Sequence, residues 1–354
     1  MCVYGLVAVD YEESTELELA GLRVARVGAF VETGDPWEPF RLVDRLGVVV
    51  VPVAEYLKDL QAAGKAVATQ RSYGRTVLRW LRFLWAIEVP WDQATRCEAR
   101  DFSRWIRLVD KAGGGRGRRG GAAHYGGFAA APAVRPNAVT GKAAPGRKYA
   151  PSTIGHSETV LRGFYSFHQE TGTGPMVNPF PLARGRAGGR ANAHHNPVRA
   201  FRNERSGLYR PRLAQRRPRS IPDEYFNELF AQLGSHRDRA LMAFWISTGV
   251  RAAELLGVRC GDADPGMQLI TVVRKGTLAL QQVPASPDAF VWLRLYQAQM
   301  HGLVPARADD PLWWTLRRPF RQLAYHAAHR MFERVNAKVG ANWTLHDLRY
   351  FVPA

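Results

Sequence analysis

Two long stretches with no hydrophobic period divide this chain of 354 residues, so any fold it adopts must be built from the patterned blocks around them. Residues 112 to 150 hold glycine, alanine and proline with seven basic residues and no acid, including the run Gly-Gly-Gly-Arg-Gly-Arg-Arg-Gly-Gly. Such a composition cannot bury enough apolar surface to order itself and predicts a disordered insertion. Residues 183 to 220 hold eleven arginines and one acid among prolines and glycines, which reads as an interdomain linker. His194-His195 falls inside it and, without Cys or carboxylate companions, reads as loop rather than metal site.

Between these stretches the period is helical. From Val49 to Val109, Tyr73, Val77, Leu81 and Leu84 share one face of a segment whose other positions carry Arg71, Arg75, Arg79 and Arg82. This predicts an amphipathic helix with a basic outside, and Trp80, Phe83 and Trp85 widen its core side. A further helix is expected over Asp101 to Val109, after the turn Val89-Pro90-Trp91-Asp92. Pro151-Ser152-Thr153 reads as another start with a hydroxyl cap, after which Ile154, Leu161, Phe164 and Tyr165 fall on one face. The bundle therefore spans the insertion. In the last block an apolar helix with Leu241, Phe244 and Trp245 ends at Thr248-Gly249, and a short helix follows over Ala253 to Leu256. Strands are expected over Leu269 to Val273 and Leu278 to Val283, flanking a turn Arg274-Lys275-Gly276-Thr277, with helices over Pro287 to Met300 and Arg318 to Lys338.

Charge selects the partner class. Lysine and arginine number 49 against 31 acids, a net charge of +18, and residues 1 to 44 are themselves net −6, so all the excess lies after them. A polyanion, first of all nucleic acid, is the partner implied. The three cysteines form no C-x-x-C pair, the N-terminal residues lack the basic region of a signal peptide, and no apolar run approaches the roughly 18 residues of a membrane span. A cytoplasmic, nucleoid-associated protein without membrane burial is expected.

Three separated elements in the last block make chemical sense together: Thr248-Gly249-Val250-Arg251-Ala252-Ala253-Glu254-Leu255-Leu256, the turn lysine Lys275, and Leu345-His346-Asp347-Leu348-Arg349, where His346 and Arg349 stand at i and i+3. In this order they resemble the two arginine boxes and intervening lysine of the tyrosine-type site-specific recombinases, the phage-integrase family. The resemblance implies a mainly α protein: an acidic segment 1–44, a helical core-binding (SAM-like) domain 45–182 carrying the insertion 112–150, the linker 183–220, and a mixed α+β catalytic domain with a small sheet over 221–354. It implies double-stranded DNA as substrate, integration or recombination through a phosphotyrosine intermediate, pairing of subunits on DNA, and no metal or cofactor.

The roles it implies suit the residue types. Arg251 and Arg349 match positions whose guanidiniums hold the non-bridging oxygens of a pentacoordinate phosphoryl group, Lys275 one that protonates the departing sugar oxygen, and His346 one that assists proton handling. Glu254 reads as structural, orienting the first box, and Arg71, Arg75, Arg79, Arg82 and Lys275 read as DNA contacts. The family places a further His or Trp box and the nucleophilic tyrosine beyond H-x-x-R, where this sequence has Tyr350 to Ala354. Tyr350 adjoins Arg349 and does not match the nucleophile, so the expectation is a C-terminally truncated catalytic domain that binds DNA without cleaving it alone. The alternative is a non-enzymatic DNA-binding accessory or competitor protein.

Overall fold

The computed structural model describes residues 19–111, 135–142, 146–183, 206–212 and 220–350, with the side chains of Arg349 and Tyr350 outside the description. The chain forms two compact units, one from residues 1–127 with 146–214 and the other from 128–145 with 215–354.

Unit 1 is a helical bundle with a hairpin laid on it. Strands β1 (Ala29–Glu32) and β2 (Phe40–Val43) pair antiparallel, and the helices are α1 (Val51–Ala62), α2 (Val67–Ala86), α3 (Arg96–Leu108) and α4 (Pro151–Glu170). Trp80, Phe83, Phe102, Phe164 and Phe180 are all buried at its centre. Each contributes about 2–3 kcal/mol of burial. The Trp80 and Tyr165 polar atoms drawn in with them are satisfied: Trp80 Nε1 donates to Tyr165 Oη at 2.8 Å, and Tyr165 Oη donates to the Trp91 carbonyl at 2.8 Å.

Several expectations are corrected here. The helix foreseen from Asp101 begins at Arg96, because Thr95 and Glu98 form a capping box: Thr95 Oγ1 accepts the Cys97 N–H at 3.1 Å and Glu98 accepts the Thr95 N–H at 2.6 Å. The helix at Pro151 has no hydroxyl cap; Ala150 precedes it and Pro151 occupies the first turn, where its missing N–H costs nothing. The described end of the acidic segment is built into unit 1 as the β1–β2 hairpin. The described part of the expected linker is held as well. Tyr209 N–H donates to the buried Glu158 carboxylate at 2.9 Å, and Leu182 bridges Gly207. His194 and His195 lie outside the described residues.

Unit 2 holds α5 (Asp223–Ala231), α6 (His236–Thr248), α7 (Ala252–Leu256), a three-stranded antiparallel sheet in the order β3 (Ala263–Asp264), β4 (Leu269–Val273), β5 (Leu280–Pro284), then α8 (Pro287–Met300), α9 (Tyr325–Lys338) and a closing 3-10 turn, Asp347–Tyr350. Helix α6 is buried at its centre through Leu241, Phe244 and Trp245. It packs on α8 and on the 3-10 turn. The second strand starts later than foreseen, because Arg274 to Ala279 close a longer turn, with Arg274 N–H on Ala279 O at 2.9 Å and Gly276 and Leu278 at positive φ. The helix foreseen from Arg318 starts at Tyr325, since Pro319 stops helical pairing and the segment before it pairs back instead, Thr315 N–H to Arg321 O and Leu323 N–H to Trp313 O, each at 2.8 Å.

The insertion departs most from expectation. Residues 135–142 are ordered and belong to unit 2, while Lys148 pairs with Asp110 in unit 1. Residues 112–134 and 143–145 lie outside the description. Composition alone argued for disorder, but Asn137 supplies its own turn, accepting the Val139 and Thr140 N–H groups at 3.0 and 2.9 Å.

Candidate functional site

The first arginine box is made by the way α6 ends. Gly249 caps the helix in the left-handed region at φ 59°, returning its N–H to Trp245 O at 3.1 Å, and the chain then reverses into α7 with Arg251 at the N-cap. Glu254 sits one turn in, 5% exposed. Its carboxylate accepts the Arg251 N–H at 2.9 Å, the Arg251 guanidinium at 2.9 Å, the Arg274 guanidinium at 3.1 Å and the Lys275 N–H at 3.0 Å. Burial alone would raise the pKa of this carboxyl, but the hydrogen bonds from Lys275, Arg251 and Arg274 outweigh it and lower it to about 2. Glu254 is therefore an anionic pin joining the first box to the β4–β5 turn.

The pin leaves the chemistry outward. The Arg251 side chain remains 47% exposed, so with one terminal nitrogen on Glu254 the guanidinium still presents donors to solvent. Lys275 is fixed at its backbone while its side chain is exposed at the turn. The second box is set by the apolar residues around it: Leu345 and Leu348 are buried in the core of unit 2, and between them His346 is turned out to the surface. The 3-10 turn packs on α6, and α7 packs on both α6 and β4. The elements carrying Arg251, Lys275 and His346 thus share one packed neighbourhood. The backbone of Arg349 lies in the 3-10 turn; its side chain is outside the described residues.

The arginines of α2 divide. Arg75, Arg79 and Arg82 line a cleft of about 660 Å3 in unit 1 together with Arg26 and Lys111. Burial and the charges of Arg26 and Arg79 push the Arg82 guanidinium below its ordinary pKa, so positive charge is crowded there. Arg82 is nonetheless not an outward residue: it donates to the Val27 and Gly28 carbonyls at 2.7 and 2.8 Å, tying down the segment that leads into β1. Arg79 lies over the Tyr149 ring at 4.6 Å, and Arg71 pairs with Glu32 at 2.9 Å and lies over Phe40. Arg75 is exposed.

No protein-family model matches the chain. Two curated relatives do: tyrosine recombinase XerC of Chlamydia caviae, 27% identical over 162 residues covering 43% of this chain and 50% of the relative, and XerC of Serratia marcescens, 26% identical over 157 residues covering 43% and 48%. Over that stretch the chain is similar to these tyrosine recombinases. It spans about half the length of the curated relatives it matches. The fold of the chain resembles that of a lambda integrase dimer bound to a COC' core site, with a TM-score of 0.51 at 15% identity, over 85% of this chain and 86% of that one.

Sequence reading missed Arg274, whose role depends on a hydrogen bond to a residue 20 positions away, and a basic cleft of about 620 Å3 in unit 2. That cleft is lined by Arg317, His326, Arg330 and Arg334, the last three at successive turns of α9. Their four-residue spacing was the signal available. It missed Lys142 altogether, which composition had assigned to a disordered tract.

Proposed function

We propose that this chain grips duplex DNA in the manner of a tyrosine recombinase, with Arg251, Lys275, His346 and Arg349 gathered on one backbone phosphate. The observation that carries the reading is the Glu254 pin, which gives one buried carboxylate to both the first-box arginine and the lysine turn while leaving the Arg251 guanidinium and the Lys275 ammonium to face solvent. A phosphodiester under attack gains negative charge on its equatorial oxygens, and forked guanidinium donors held in advance stabilise that charge without reorganising. Lys275 supplies the proton to the departing sugar oxygen, and its place on a turn lets the side chain follow that oxygen. His346 bonds to the phosphate or assists proton movement at the attacking group. Arg75 and Arg79 add backbone contacts from unit 1. The lambda integrase neighbour is a dimer on its core site; for this chain we likewise propose pairing with further recombinase subunits on DNA.

Tyr350, next to Arg349, does not match the family's nucleophile, so the grip is proposed without assigning an attacking residue. The test is duplex binding by gel shift. Arg251→Ala and Arg349→Ala are each expected to weaken binding roughly tenfold. Unchanged binding in both variants would sink the phosphate-grip reading.

A further inference from the structure

We infer that Lys142 is a positioning residue for the second arginine box: residues 135–142 of the insertion act as a strap that docks on residues 340–347 and holds the His346–Arg349 turn in place. The inference rests on the phosphate-grip reading for what the turn does, and on the contacts below for what the strap does.

The strap is a folded object. Asn137 O accepts the Gly141 N–H and Asn137 N–H donates to Lys142 O, both at 2.8 Å, with Gly141 at φ 60° closing the loop. The receiving surface is also built. Asn336, buried in α9, accepts the Trp343 N–H at 2.9 Å and donates to the Trp343 carbonyl at 3.1 Å, so the loop after α9 has one conformation to offer. Between the two, Asn137 Nδ2 donates to Gly340 O at 2.8 Å, the Thr140 hydroxyl bonds to the Asn342 side chain, and the Lys142 ammonium pairs with Asp347 while lying 5.1 Å over the Trp343 ring. These contacts join positions some 200 residues apart in sequence, and Thr140 is 7% exposed. Lys142 and Asp347 retain only 22% and 15% of their side-chain exposure.

Asp347 is the hinge on which this acts. It begins the 3-10 turn, lies between His346 and Arg349, and accepts both the N–H and the hydroxyl of Thr344, at 2.6 and 2.7 Å. Burial opposes its charge, while Lys142 and Thr344 hold the carboxyl below the ordinary aspartate range. Without the ammonium, a carboxylate with little solvent would lose its counter-charge and the turn its outer support. A chain segment that is absent from the second box in sequence is thus part of its mounting in space.

The experiment uses the full chain, with Lys142→Ala, Lys142→Arg and the double variant Lys142→Ala/Arg349→Ala, read by amide hydrogen exchange and by affinity for a duplex oligonucleotide. Lys142→Ala is expected to speed exchange of the Leu345 to Leu348 amides roughly tenfold without changing α2 or α4, and to weaken duplex binding, with Lys142→Arg restoring both. The binding loss should vanish in the Arg349→Ala background, because the strap acts through that turn. Unchanged exchange overturns the strap; faster exchange with unchanged binding, where Arg349→Ala does weaken binding, overturns its positioning role. If Arg349→Ala leaves binding intact while exchange still responds to Lys142, the strap stands and the DNA reading of the site falls.

Discussion

At the scale of single residues, one carboxylate organises the first half of the site. Because the Glu254 pKa lies at about 2 in the folded chain against an ordinary 4.5, the group contributes stability that is complete above 4.5 and lost as pH falls toward 2. The shift corresponds to an order of 3 kcal/mol. Glu254→Gln is therefore expected to lower the stability of unit 2 by roughly that amount at neutral pH, and the gap from wild type should close between pH 4.5 and 2 in urea melts; a constant gap across that range would contradict the assignment. Glu254 was readable in the sequence as an orienting residue because it stands three positions after Arg251, a local relation. Arg274 and Lys142 were not, since their partners are set by tertiary approach, and Lys142 lies in a tract whose composition argues for no structure at all.

At the scale of elements, the sequence resolved helices whose period is strong and blurred those whose ends depend on side-chain caps. The α8 bounds follow from Pro287 and the apolar run after it, and β4 from its β-branched residues. The start of α3 was hidden because Thr95 and Glu98 signal a cap only when read as a pair, and the start of α9 because the residues after Pro319 have a helical period but pair back on the segment before it. The β1–β2 hairpin was not foreseen, and its seat has a specific cause. Gly74 in α2 lets the Phe30 ring lie against the helix backbone: a Cβ there would meet that ring at 2.1 Å, and Phe30 stacks on Phe40 at 5.1 Å. Gly74→Ala should therefore lift the hairpin, costing about 1–3 kcal/mol despite alanine's better helix propensity. The check is a thermal melt with Phe30→Ala as a second background, where the penalty should largely disappear.

For the whole molecule, charge and connectivity matter more than any one contact. A chain of net charge +18 should lose duplex affinity steeply with salt, with a log–log slope of about −0.9 per neutralised phosphate. Arg75→Ala, at an exposed position, is expected to reduce that slope by about 1 with melting temperature unchanged. Arg82→Ala should instead lower the melting temperature, since its guanidinium holds the Val27 and Gly28 carbonyls. The low-complexity tracts give no sign of the ownership of residues 135–142: they are flanked by unit 1 in sequence and packed in unit 2. This interleaving bears on inheritance by parts. A chimera that exchanged only residues 215–354 with a relative would receive a new arginine box over a strap matched to the old one, so the unit that recombines cleanly is the box together with residues 128–145.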